Sequence, residues 1–151
     1  MILADYTDSA IAKEYKKRFS VCENKPAMQN SRIVKEHLRI MFSNLEHDRE
    51  HFVCVFLDGQ NAILKSEVLF TGSLTTSAVY PREVIKKILQ YESAYVIFGH
   101  NHPSGSLTPS SSDRSITKKL QVACSAIDVD VLDHIIIAGD SEFSFADHNL
   151  I

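Results

Sequence analysis

The chain has 151 residues, 44% of them apolar and 23% charged, with 16 basic against 19 acidic side chains and a net charge of −3. That is one domain's worth of chain, with enough apolar material for its own core and no need of disulfide or metal staples. The acidic balance argues against a protein that grips nucleic acid by its phosphates, and no apolar run approaches the length of a membrane span.

Cys22, Cys54 and Cys124 are odd in number and lack metal-type spacing. Cys54 and Cys124 fall on apolar faces, where a free cysteine behaves as a small core residue. The count suits a reducing compartment, and MILADYTDSA at the N-terminus has no basic region ahead of an apolar one. The cytoplasm is the expected location.

Residues 1–28 read as a helical lead-in. Ile11, Tyr15 and Phe19 at four-residue steps suggest a short helix from Ser9 to Phe19. Lys13, Lys16, Lys17 and Arg18 cluster there, as a solvated helix face rather than a nucleic-acid contact. Lys25-Pro26 breaks the pattern, so the domain proper is expected over residues 29–151. Gln29 to Leu45 has helical period, with Val34, Leu38, Met41 and Leu45 on one face and Asn30 or Ser31 as N-cap. A charged turn, Glu46 to His51, leads to a strand from Phe52 to Asp58. Asp58-Gly59-Gln60-Asn61 supplies hairpin chemistry, and Ala62 to Phe70 makes the return strand. Leu74 to Val79 adds a further extended piece. Pro81 opens a helix at a position where its missing N–H has no partner to lose. Val84, Ile85, Ile88 and Leu89 form the apolar stripe of that helix.

Ala94 to Gly99 is short and apolar enough to be a buried strand, and it ends in HNHPSGSLTPSSSD, residues 100–113. Side chains two apart in an extended segment leave the same face, so His100 and His102 converge while Asn101 points away. Pro103 biases His102 towards extended geometry. After a Gly/Ser/Pro loop, Ser112 to about Ile127 forms a helix with Ile116, Leu120, Ala123 (or Cys124) and Ile127 as its core face. If the loop folds back, Asp113 can present a carboxylate where both histidines aim. Two neutral imidazoles, one carboxylate and a position left to water describe a catalytic zinc site. Each part also has an ordinary use: His-x-His is common, HPSG can be a plain turn, and Ser110-x-x-Asp113 is a capping box. It is the compound spacing that chance rarely produces. Val129 to Ala138 is a second buried strand and Glu142 to Phe145 a short terminal one. Strands alternating with helices indicate an α/β domain, and the early hairpin makes its sheet mixed, with flanking helices.

His-x-His-x7-Ser-x2-Asp, at His100, His102, Ser110 and Asp113, resembles the JAMM (MPN+) metalloprotease motif. YPREVIKKIL, AYVIFGHNHPSGSLTPSSSD and VLDHIII, in that order, resemble the RadC family, the bacterial branch bearing this domain. The likeness runs from about Gln29 to the C-terminus. It implies a JAMM/MPN (cytidine-deaminase-like) domain holding Zn2+ through His100, His102 and Asp113 and hydrolysing a peptide or isopeptide amide. In JAMM proteases a glutamate at the start of the first core strand is the general base. Glu50 occupies that place here, with Glu67 in the return strand as the other candidate. Ser110, by the same resemblance, donates a hydrogen bond to the developing oxyanion.

His134 in LDHIII reads either as a group behind the metal ligands or as a core histidine. His37, His47, His51 and His148 read as surface residues, with His51 close enough to Glu50 for an adventitious metal contact. The chain lacks the His-Glu-x-x-His of zincins and the His-x-Glu with Pro-Cys-x-x-Cys of nucleobase deaminases. RadC proteins usually carry a helical, DNA-binding-like region ahead of this domain, and about 28 residues are too few for it. Relatives often have histidine where Tyr80 precedes Pro81. Two further functions compete with hydrolysis: an accessory role with nucleic acid in DNA repair or mobile-element biology, and a metal that only staples the fold. Neither the substrate nor the oligomeric state is legible.

Overall fold

The computed structural model describes residues 31–73 and 79–151. The Ser9–Phe19 helix, the basic cluster, Cys22, the Asn30 cap, the boundary at residue 28 and all but the last residue of the Leu74–Val79 piece lie outside the described residues.

Helix α1 (Ser31–Ser43) is followed by strands β1 (Glu50–Leu57) and β2 (Ile63–Gly72), helix α2 (Pro81–Tyr91), strand β3 (Tyr95–Asn101), helix α3 (Ser111–Ser125), and strands β4 (Asp130–Ala138) and β5 (Ser141–Ser144). The five strands form one sheet in the order β2-β1-β3-β4-β5. β1 runs antiparallel to both β2 and β3, β3 parallel to β4, and β4 antiparallel to β5. The sheet is therefore mixed, as the sequence pattern implies.

Helices cover both faces of the central strands, which is why these strands are continuous apolar runs rather than alternating ones. Phe52, Cys54 and Phe56 join Val96 and Phe98 under Val84 and Ile88 of α2 and Ile116, Leu120 and Cys124 of α3. Val53, Val55 and Leu57 join Ile97, Ile135 and Ile137 under Val34, Leu38 and Phe42 of α1. Two stripes differ from expectation. On α1, Phe42 is buried while Met41 and Leu45 only flank the cluster. On α2, Leu89 is 63% exposed; it lies about 100° around the helix from Ile88, past the edge of the contact.

Gly99 lets α1 come close behind the site. A Cβ there would stand 2.9 Å from both Leu38 methyl carbons, and Leu38 has no room to give because it is fully buried.

β1 begins two residues earlier than the apolar pattern suggests, pairing Glu50 with Gly72 and His51 with Thr71. The cause is a side chain fifty residues away. Asn101 accepts from the His51 N–H at 2.7 Å and donates to the Arg49 carbonyl at 2.8 Å, so it grips the backbone on either side of Glu50. His51 is then buried, not on the surface: its Nε2 donates to the Glu46 carbonyl and its Nδ1 accepts from Thr71 Oγ1, both at 2.9 Å. Both ring nitrogens are occupied, which removes it as a metal contact. His37 is buried as well, with Nε2 2.9 Å from Ser66 Oγ, whereas His47 and His148 are exposed as expected.

Candidate metal centre

At the end of β3 the strand alternation sends His100 and His102 to one side, and the 103–110 loop returns the chain so that α3 begins beside them. The start of α3 is a capping box: Ser110 Oγ accepts from the Asp113 N–H at 3.0 Å, and Asp113 Oδ2 accepts from the Ser110 N–H at 2.7 Å. That reciprocal pair fixes the carboxylate over the strand end. His100 Nε2 lies 2.8 Å from His102 Nε2 and 3.2 Å from Asp113 Oδ1, and His102 Nε2 lies 3.2 Å from Asp113 Oδ2. Among the described residues these three form a group whose donor atoms all lie within 4.8 Å of one another, so they could hold a metal ion.

The hydrogen-bond network assigns the tautomers. His102 Nδ1 is 2.7 Å from the Ser106 carbonyl, which can only accept, so Nδ1 carries the proton and Nε2 a lone pair. Thr117 Oγ1 gives its single proton to the Asp113 carbonyl at 2.7 Å, so the contact of 2.6 Å between Thr117 Oγ1 and His134 Nδ1 must be donated by the imidazole. His134 Nε2 is then an acceptor, and at 2.8 Å it takes the proton of His100 Nδ1. His100 Nε2 is left with a lone pair. Two imidazole lone pairs and a carboxylate oxygen thus face one another at contact distance. Such an arrangement repels itself until a cation, or at least a proton, sits among them.

The ionisation of the group agrees. Burial pushes His100 below its ordinary value, outweighing the pull of Asp113. His102, less buried, is raised, chiefly by its hydrogen bond to Asp113. Burial acts to raise Asp113, but His100, His102 and the Ser110 N–H outweigh it and hold the carboxyl well below its usual range. His134, fully buried, is pushed well down and stays neutral.

Glu50 lies on the site's face of the sheet. It is two residues from Phe52, which pairs with His100 and stacks on it at 6.5 Å, and side chains two apart share a face. Its charge raises both His100 and His102, yet it is not part of the three-residue donor group. Glu67 is engaged elsewhere: Tyr91 donates to its Oε1 at 2.5 Å and Lys87 Nζ lies 3.2 Å from its Oε2. Ser110 is exposed, and because its oxygen accepts from Asp113, its hydroxyl proton remains available to donate.

Three contributors are not evident from the sequence. Asn101 points away from the histidines, as strand alternation requires, and in that position holds the start of β1. Thr117 is four residues after Asp113, one helical turn along the same face, a spacing that could have flagged it. Asp133 accepts from Ser144 Oγ at 2.6 Å and from the Ala146 N–H at 3.0 Å. It thereby anchors the turn that stacks Phe145 on His134 at 4.9 Å.

The family model for the RadC-like JAB domain matches residues 28–150. A UPF0758 protein of Pseudoalteromonas translucida is 42% identical over 130 residues, 86% of this chain and 57% of its own length. One of Thiobacillus denitrificans is 46% identical over 121 residues, 80% of this chain and 53% of its own. The UPF0758 protein YeeS of Escherichia coli is 43% identical over 125 residues, 83% of each chain. The chain thus spans a little over half the length of the first two.

Proposed function

The chain belongs to the family of RadC-like JAB domains, and from that premise we propose that it is a zinc-dependent amide hydrolase of the JAMM metalloprotease type, acting in the cytoplasm on a peptide or isopeptide bond. The observation that carries this is the division of labour at the strand end. Two imidazole nitrogens and a carboxylate oxygen converge, while a further carboxylate, Glu50, shares their face without joining them.

His100, His102 and Asp113 would hold the ion, whose donor set of two neutral imidazoles and one carboxylate suits zinc with a position left open. An ion held there would supply Lewis acidity towards a carbonyl oxygen and a bound water of pKa about 7. Glu50 takes the proton of the attacking water and hands it to the leaving nitrogen, the task of a general base that then acts as acid. Asn101, by gripping Arg49 and His51, keeps Glu50 from drifting with the turn before it. Ser110 turns its spare hydroxyl proton to the substrate oxygen as negative charge grows there. A metal that only staples the fold would more commonly be closed by a fourth protein ligand, and among the described residues the donor group has three.

The test pairs zinc analysis with cleavage of a peptide and isopeptide library, with and without chelator. Glu50→Gln should keep one zinc per chain and lose about 10²–10⁴-fold in rate, the usual contribution of general acid–base assistance. Asp113→Asn should lose zinc and activity together, and Glu67→Gln should lose neither. Activity lost with zinc retained in Glu67→Gln, but not in Glu50→Gln, moves the base to β2. A His100→Ala, His102→Ala double variant with full zinc places the metal elsewhere. A zinc-loaded wild type that cleaves nothing in a chelator-sensitive way defeats the hydrolase assignment.

A further inference from the structure

We propose that His134 and Thr117 act as a positioning pair that locks His100 in the tautomer presenting its Nε2 lone pair to the metal. This rests on the metal-binding half of the function proposed above and not on hydrolysis. The chain of contacts is continuous and has one direction. The Asp113 carbonyl can only accept, so Thr117 donates to it; Thr117 has no second proton, so His134 Nδ1 donates to Thr117; His134 Nε2 therefore accepts from His100 Nδ1. The opposite orientation would need either a second proton on Thr117 or a buried imidazolium at His134 with no carboxylate on either nitrogen, which burial disfavours strongly.

The chain begins and ends on metal-site residues. It starts at the backbone of Asp113 and ends on the ring of His100, so the helix-borne ligand sets the proton position of the strand-borne one. His102 needs no such device because the Ser106 carbonyl in its own loop does the same work directly. His134 has little freedom to break the chain. It is fully buried, with Phe145 stacked at 4.9 Å and Phe52 and Phe98 edge-on at 5.5 and 6.1 Å. The aromatic box means that a phenyl ring at this position would keep the packing while deleting both nitrogens. A glutamine would keep an acceptor for His100 and a donor for Thr117.

The experiment compares His134→Phe, His134→Gln and Thr117→Val with wild type. Imidazole ¹⁵N–¹H correlations on the metal-free proteins report the His100 tautomer, and chelator competition reports zinc affinity. The expected result is a single Nδ1–H tautomer at His100 in wild type and in His134→Gln, and a mixture in His134→Phe. Zinc affinity should fall by about 10–100-fold in His134→Phe, the usual cost of losing a partner behind a metal ligand, and recover most of the way in His134→Gln. Thr117→Val should fall between them, and it serves as the deciding variant if His134→Phe does not fold. Unchanged tautomer and affinity in His134→Phe or, failing that, Thr117→Val would overturn the proposal. So would a glutamine variant as impaired as the phenylalanine one, since the ring would then matter for shape alone. If wild type binds no zinc, the metal assignment fails, while the tautomer measured in the metal-free proteins still decides the role of His134.

Discussion

His37 offers a measurable pH switch in stability that is independent of any substrate. It is 4% exposed, on the face of α1 turned to the sheet, and its pKa is lowered from 6.5 to about 4 because burial penalises the imidazolium. As pH falls through 6.5 the unfolded chain takes up this proton while the folded one refuses it until about pH 4. Within that window the unfolded state binds more protons, so stability drops with falling pH; below it both states are protonated and the loss is complete. At about 1.4 kcal/mol per pH unit, the window from 6.5 to about 4 corresponds to about 3 kcal/mol. Urea unfolding of wild type and His37→Gln, each at pH 7 and pH 4, isolates the effect, because the other buried histidines cancel in the difference. Wild type should lose about 3 kcal/mol more than the variant on acidification. Parallel losses, within about 0.5 kcal/mol, would show that His37 is solvated or opens to solvent without unfolding, and would refute the reasoning.

Zinc affinity should weaken about tenfold for each pH unit once protons compete for His102, with onset above the ordinary imidazole value of 6.5 because Asp113 raises that pKa; zinc titrations from pH 8 to 5 that stay flat down to 6 would contradict it. Asn101→Ala should keep zinc but lose about 1–2 kcal/mol of stability, the cost of orphaning partly buried backbone groups, with faster amide exchange at His51. Exchange unchanged there would remove Asn101 from its holding role. Gly99→Ala should cost about 1–3 kcal/mol in thermal or urea unfolding, because its Cβ would overlap the immobile Leu38, and a neutral result would mean that α1 can lift without penalty. Binding to duplex DNA by the isolated chain should be weak and lost in physiological salt, given the net charge of −3; specific binding that survives such salt would oppose this.

What could be read from the sequence was what neighbours in the chain decide. The strand alternation at His100 and His102, the capping box at Ser110 and Asp113 and the proline-started helix at Pro81 each depend on residues a few positions apart. What could not be read was decided by distant partners. β1 starts at Glu50 because Asn101 reaches it, and the apolar pattern, which begins at Phe52, carries no trace of that grip. His37 and His51 look like surface residues by type. They are buried because Ser66, Thr71 and the Glu46 carbonyl satisfy their nitrogens. The two-way choice for His134 was undecidable locally, since only folding brings it between His100 and Thr117.

β3, α3 and β4 form one strand–helix–strand unit with its two strands in parallel register, and everything that would grasp the ion lies within it, from His100 to His134. The proposed base arrives from β1, which runs the opposite way along β3. The residues that would hold the ion and the carboxylate proposed to move the proton are therefore written in separate passages of the chain. On the proposed reading, a change at the head of β1 would silence the chemistry and leave the ion-holding unit whole. Two proteins of this architecture with identical ligand sets can then differ in whether they cut anything at all, and the start of β1 is the place to look first.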